Sequence, residues 1–294
     1  MLFRDMAKLY LEEHAKVNKR SWKTDEERLN RLIERFGDKR LSDITKQDVE
    51  RFRALLVQQL SHATVNRYMA LLKTLYNKAI SWGKTKHNPV VGIKQFKETH
   101  RIRFLTDEEE ERLQAAFPAS FWPWVEVALH TGLRRSEQFE LRWENVNFRT
   151  RTLTIPRSKH GEVRHVPMND HVVEIIRSLP SRLDSPYVFT STNGQTPMDS
   201  NNFVKRVFMP ALRAAEIHDF RWHDLRHTFA SRLVMDGTDL RTVQELLGHK
   251  TISMTMKHAH LSPGHKMDAV QRLAKKRSGT PTSTEQKKHS GQST

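Results

Sequence analysis

Residues 221–261 read RWHDLRHTFASRLVMDGTDLRTVQELLGHKTISMTMKHAHL, and His223, Arg226 and His249 are the residues there that could do chemistry. All three stand beside apolar positions and near helix ends, which does not suit a merely solvated face. An imidazole can donate a hydrogen bond or carry a proton, and a guanidinium grips two oxygens at once while staying cationic. Gathered together, they suit an anionic oxygen in transit, above all that of a phosphate.

Three short helices must position them. Leu225, Phe229, Leu233 and Val234 recur at helical spacing and predict a helix over about 223–235, stopped by Asp236-Gly237. Thr238 and Asp239 take N-cap places before Val243, Leu246 and Leu247, Gly248 ends that helix, and a third runs from Thr251 to Leu261.

This stretch resembles the tyrosine recombinases of the phage integrase family. HDLRHTFASRL (223–233) matches the family's His-x-x-Arg box, and ELLGHKTISMTMKHAHL (245–261) matches its closing Leu-Gly-His segment. The family carries its nucleophilic tyrosine nine residues after that histidine, in a Tyr-x-His context. Here the position holds His258, with His260 as the trailing, supporting histidine. The string TGLRRSE (131–137) matches the family's first arginine box and assigns the role to Arg134, with Glu137 as supporting carboxylate. Standing alone, the string would be an ordinary Arg–Glu surface pair. Adjacent helical residues point different ways, so Arg135 is not interchangeable with Arg134.

The resemblance implies a phosphodiester transesterification. Arg134 and Arg226 would neutralise the pentavalent phosphate, and His223 and His249 would donate hydrogen bonds or shuttle a proton. Residues 146–168 alternate as a hairpin does, with Leu153 and Ile155 answered by Val163 and Val166 across a Ser158–Gly161 turn. The family's general-acid lysine lies on such a turn, where Lys159 is its equivalent, although hairpin lysines are usually only solvated. No metal or cofactor is required, and no carboxylates cluster in the manner of two-metal nucleases.

The nucleophile is the gap. The four tyrosines, Tyr10, Tyr68, Tyr76 and Tyr187, all lie outside the closing segment. His258 replaces a tyrosine and leaves DNA binding without a covalent link, or its imidazole attacks phosphorus, or it activates water and the protein nicks without rejoining. A tyrosine supplied from elsewhere is the remaining account.

Composition agrees with a nucleic-acid partner. The 294 residues carry a formal charge of +16, which favours a polyanion. The length allows one large or two modest domains, and 37% hydrophobic content suits a globular chain. The absence of cysteine excludes disulfides and thiolate chemistry, and the sixteen histidines are mostly scattered. No membrane span or secretory signal is evident, so a cytoplasmic protein, bacterial or phage-encoded and nucleoid-associated when bound, is expected.

The elements expected along the chain complete a mainly α fold with a small antiparallel sheet. Helices over 1–20, from Thr24 to Gly37, from Thr45 and over 63–82 make a helical core-binding (SAM-like) domain at 1–84. Val17, Leu55 and Ile80 are expected inward, and Asn66, Arg67, Lys73 and Lys78 outward. A basic linker follows at 85–103, then an integrase-type catalytic domain at 104–276, opened by a Thr106/Glu109 capping box. Its buried helix over 124–130 breaks at Thr131-Gly132 and resumes over 136–141; a helix over 170–178, a strand over 187–190 and a helix over 200–216 interrupted by Pro210 follow. A polar tail at 277–294 is expected to be disordered. The first helix begins near residue 3, so no additional arm-binding domain is expected within this sequence.

The expected partner is double-stranded DNA, touched by Arg67, Lys73, Lys94, Arg103 and Lys159. Family behaviour implies a homotetramer on DNA, with a helix over 261–273 reaching a neighbour, and no membrane. The rival reading is a catalytically inactive DNA-binding protein that occupies or regulates recombination sites; a generic basic helical transcription factor leaves the residue constellation unexplained.

Overall fold

The computed structural model describes residues 1–98, 101, 103–156, 163–191 and 193–261. Lys159, the tail and all but the first residue of the expected 261–273 helix lie outside them. The chain divides into two compact units, Met1–His100 and Arg101–Thr294.

The first unit is helical. Helix α1 (Phe3–Tyr10) continues through a π turn (Leu11–Ala15) into a last turn, Lys16–Asn18. Helices α2 (Trp22–Phe36), α3 (Lys46–Val57) and α4 (His62–Ser81) follow. Thr45 starts α3 as its sequence predicts: its hydroxyl accepts from the Asp48 N–H and its own N–H donates to the Asp48 carboxylate. Phe3, Tyr10, Leu32, Phe36, Val49, Leu72, Leu75 and Tyr76 fill the core. Each such side chain gains roughly 1.5–3 kcal/mol from burial.

Three residues expected inward are exposed: Val17, Leu55 and Ile80. Val17 follows the π turn, whose extra residue rotates everything after it by about 100° around the helix. Leu55 and Ile80 fall at the edge of apolar stripes wider than the arc their neighbours cover.

Asn66 corrects the expected outward face, because it is 1% exposed. Its amide donates to the Phe96 carbonyl and its oxygen accepts the Phe96 N–H, each at 2.9 Å. These bonds dock much of the expected linker on this unit: Val90 is buried in its core, and Ile93 and Phe96 pack against it. His62 stacks on the Phe96 ring at 4.4 Å, and the Arg53 guanidinium lies 3.7 Å from that ring's centre.

The second unit opens with α5 (Asp107–Ala116), begun by the Thr106/Glu109 capping box. Next come α6 (Trp122–Thr131) and α7 (Arg135–Phe139), shorter and earlier than the expected 136–141. Strands β1 (Val146–Asn147), β2 (Thr152–Ile155) and β3 (Arg164–Pro167) form an antiparallel sheet in that order, with Leu153 opposite Val166. Val163, read as part of the second hairpin strand, stands exposed just before β3. Helix α8 (Asp170–Ser178) starts at Asn169, whose side chain accepts the Val172 N–H. The expected strand over 187–190 is only a pair of isolated bridges, Arg142 with Tyr187 and Thr190 with Pro197.

Helix α9 (Ser200–Phe203) passes through a π turn (Val204–Phe208) into α10 (Met209–Ala214). Pro210, which has no N–H to donate, directly follows the π turn, whose changed register accommodates it within the continuous helical run. Helices α11 (Trp222–Met235), α12 (Leu240–Leu247) and α13 (Ile252–Thr255) and a 3₁₀ turn (Met256–Leu261) close the unit. Trp124, Phe139, Phe203, Phe208 and Trp222 make an aromatic core, with ring centres mostly 5–6 Å apart. Ala230, Val234, Val243 and Leu247 form a smaller cluster that joins α11 to α12.

Candidate active site

Two glycines organise the site. Gly132 ends α6 and Gly248 ends α12, with φ of +60° and +61°, a conformation that costs glycine little. A Cβ on Gly132 would lie 2.4 Å from the Phe229 ring, so the position is closed to other residues on two counts. Each glycine turns its carbonyl toward an arginine from the other end of the unit.

Arg226, on α11, is 4% exposed and donates to the Gly132 carbonyl at 2.6 Å and to the Leu247 carbonyl. Arg134, which caps α7, donates to the Gly248 carbonyl at 3.0 Å. Leu247 and Gly248 are consecutive, so both guanidiniums sit at the C-terminal end of α12, where unpaired carbonyls and the helix dipole favour cations. Burial, with Arg134 and Arg164 nearby, lowers the Arg226 pKa to about 9, still cationic at neutral pH.

Glu137 holds this pair from behind. Its carboxylate accepts from the Arg134 guanidinium at 2.7 Å and from the Arg134 backbone N–H at 2.8 Å. It also takes a two-pronged contact from Arg164 on β3, at 2.7 and 2.6 Å. Burial alone would raise this carboxyl's pKa. The bonds and charge of Arg164, with those of Arg134, overcome it and hold the group at about 2.

The histidines gather beside the arginines. His249 accepts or donates at Nδ1 with the Thr255 hydroxyl, 2.9 Å away, and its backbone carbonyl accepts from Gln244. His223 is exposed at the rim, with its ring perpendicular to that of His227 at 5.1 Å. His258 is 2% exposed, with Nδ1 3.2 Å from the Ser231 hydroxyl and Nε2 3.5 Å from Nδ1 of His227. Desolvation, helped by neighbouring cations or imidazoles, lowers all four pKa values, to about 4 for His223, His227 and His258 and about 3 for His249. At neutral pH the imidazoles are uncharged. Three guanidiniums against one carboxylate then leave two net positive charges, a setting made for an anion.

Arg134, Glu137, His223, Arg226, His249 and His258 therefore belong to one constellation. Lys159 lies outside the described residues, and the side chain of His260 is likewise not described. Arg164, His227, Ser231 and Thr255 were not expected here. Arg164 shares the inward face of β3 with Val166, and His227 stands one turn after His223, which are the available signals.

Arg103 corrects another expectation. Its guanidinium makes a two-pronged pair with Glu109 at 2.7 and 2.5 Å and lies 5.4 Å from the Phe220 ring centre. It secures the start of α5 instead of offering itself to a phosphate. Arg67, Lys73 and Lys94 are exposed on the first unit, Arg67 within 3.4 Å of Glu98. Among the described residues no cluster of three His, Cys, Asp or Glu side chains could hold a metal ion, and no helix is long and apolar enough to cross a membrane.

Comparison with known proteins adds the context. Residues 97–265 match the model of the phage integrase family, and residues 2–97 match that of the phage integrase N-terminal domain. A tyrosine recombinase of Thermosipho africanus is 28% identical over 275 residues, covering 90% of this chain and 95% of its own. The solved structure of the Tn1549 transposon integrase with transposon right-end DNA superposes with a TM-score of 0.78 at 22% identity, covering 93% of this chain and 100% of that one. A lambda integrase tetramer bound to a Holliday junction gives a TM-score of 0.74 at 21% identity, covering 86% of this chain and 79% of that one. These structures share the fold.

Proposed function

The chain belongs to the phage integrase family of tyrosine recombinases, and we propose on that premise that it binds duplex DNA and that its second unit is built to break and rejoin strands at a phosphodiester. The observation that carries this reading is the convergence of Arg134 and Arg226 on consecutive carbonyls at the end of α12, backed by Glu137. With both guanidiniums anchored, their remaining N–H groups are left to grip the non-bridging oxygens of one phosphate, and no rearrangement is needed when charge develops. Neutral His223 and His249 donate to the same phosphate. Lys159 protonates the departing 5′-oxygen as the bond from phosphorus to that oxygen breaks. The guanidiniums supply the charge that metal ions supply in two-metal nucleases, so no cofactor enters the reaction.

Exposed Arg67, Lys73 and Lys94 meet the DNA backbone, in keeping with the formal charge of +16. Assembly as a tetramer on DNA follows the lambda integrase precedent, and the working compartment is the cytoplasm of a bacterial cell. The catalytic domain on this reading spans 104–276, and 277–294 form a tail.

His258 occupies the nucleophile position. A second reading, DNA binding without strand cleavage, is favoured by its burial and by the engagement of both ring nitrogens with Ser231 and His227. A nicked suicide duplex, incubated with this chain and with His258→Tyr and resolved on a denaturing gel, separates the readings. An adduct with His258→Tyr alone identifies a working scaffold disarmed at one residue. An acid-labile adduct with the unmodified chain identifies a phosphoramidate and a histidine nucleophile. Tight DNA binding with no adduct from either leaves the second reading standing.

A further inference from the structure

Arg164 is the most tightly held charged group in the site to which the proposed reaction gives no task. Its side chain is 10% exposed, and it gives Glu137 two bonds of 2.7 and 2.6 Å. The carboxylate it grips is the one that orients Arg134 through both backbone and guanidinium. Space for it is built in: a Cβ on Gly248 would stand 2.8 Å from Arg164 Cδ. Gly248 thus admits Arg164 on one side while its carbonyl receives Arg134 on the other.

We propose that Arg164 is a positioning residue for the strand-cleavage reaction: from β3 it fixes the Glu137 carboxylate, through which it aims the Arg134 guanidinium at the scissile phosphate. The inference rests on the reading of Arg134 as a phosphate-gripping group. The physical case is one of competition. With Arg134 as its sole cationic partner, the carboxylate would be held from one side only and would draw the guanidinium toward itself. Each Glu137 oxygen instead accepts one bond from Arg134 and one from Arg164, so the carboxylate is held from two sides and meets the Arg134 guanidinium in one fixed direction. It also adds a positive charge that keeps the pair from cancelling the field the phosphate meets.

Removal of Arg164 should therefore do two things that lost packing alone would not. The Glu137 carboxyl, now at about 2, should titrate closer to the ordinary carboxylate range. The acid limb of the cleavage profile should move up with it, because protonated Glu137 no longer aligns Arg134.

The test uses the full chain carrying His258→Tyr, alone and with Arg164→Met or Arg164→Lys. Adduct rate on the suicide duplex is followed against pH, and Glu137 is titrated by carbon NMR. The expected result is a loss on the order of 100-fold in adduct rate for Arg164→Met, as a misplacement of about 1 Å would give. Arg164→Lys, which keeps the charge but makes one bond instead of two, should recover part of that rate. Both variants should show the acid limb and the Glu137 titration shifted upward together. A Glu137 carboxyl still titrating near 2 in Arg164→Met, or a rate loss equal at every pH, overturns the proposal. Absence of adduct from the His258→Tyr chain with Arg164 intact overturns the underlying reading of the site instead, and the NMR titration still decides whether Arg164 fixes Glu137.

Discussion

The site has two halves built on opposite terms. In the arginine half, Arg134, Arg164 and Arg226 make short bonds to backbone carbonyls or to Glu137, and charge is retained. In the histidine half, His223, His227, His249 and His258 sit close together, His258 with contacts of 3.2 and 3.5 Å and His249 with one of 2.9 Å, all to neutral groups, and charge is suppressed. The difference follows from chemistry. A guanidinium stays protonated when buried as long as oxygens surround it, whereas an imidazole that loses water, with cations or other imidazoles beside it, gives up its proton. One half is therefore a fixed anion receptor and the other a set of neutral donors and acceptors.

The sharpest way to break this contrast is Arg226→Lys. Lysine keeps the charge but is a point donor that does not reproduce the two-carbonyl span from Gly132 to Leu247. Adduct formation in a His258→Tyr background should fall by about 10²–10³-fold, the usual scale for losing one transition-state donor. Affinity for duplex DNA, set mostly by exposed cations, should change little in a binding titration. A parallel fall in binding would mean that Arg226 holds DNA rather than the transition state.

Much of the arginine half is legible in the sequence, because Arg134 and Gly248 stand at helix breaks marked by glycine, and Arg226 directly follows the apolar anchor Leu225 and lies about one helical turn before Phe229. Arg164 is barely legible: its alternation with Val166 is the one local signal, its partner is 27 residues away on a different element, and a strand arginine ordinarily reads as solvated. Arg103 and Asn66 mislead for a related reason. Their polar side chains satisfy internal groups, Glu109 and the Phe96 backbone, which no local pattern announces. The burial of His258 is likewise a tertiary fact, produced by α11 laying Ser231 and His227 against the closing turn.

Acid titration of stability offers a medium-sized test that reads both halves at once. The folded histidines titrate at about 3–4 against the ordinary 6.5, so the unfolded chain binds protons that the fold refuses. Their contribution is complete above 6.5 and is lost as pH falls from 6.5 toward 4. Glu137, at about 2 in the fold against an ordinary 4.5, is stabilising above 4.5, and that stabilisation is lost as pH falls from 4.5 toward 2. The Glu137 step is on the order of 3 kcal/mol. Urea unfolding at a series of pH values should show a decline that begins below 6.5 with the histidines and is joined below 4.5 by that of Glu137. A flat profile from pH 7 to 4.5 would remove the claim that the imidazoles are held neutral.

The smallest effect expected comes from Ser231→Ala, and it probes residue 258 directly. Ser231 is fully buried, and its hydroxyl is the partner of His258 Nδ1. Removing it leaves a buried ring nitrogen without a hydrogen-bonding group, at a cost of about 1–2 kcal/mol. With His258→Tyr in place there is no Nδ1 to satisfy, so the same serine change should cost less, and a double-mutant cycle should return a coupling of about 1 kcal/mol. Thermal or urea melts of the four proteins are sufficient to measure it. A coupling of zero would mean that the serine serves the helix rather than the histidine, and residue 258 could then be exchanged without disturbing α11. A coupling near the expected size would mean instead that the interior around residue 258 is fitted to an imidazole.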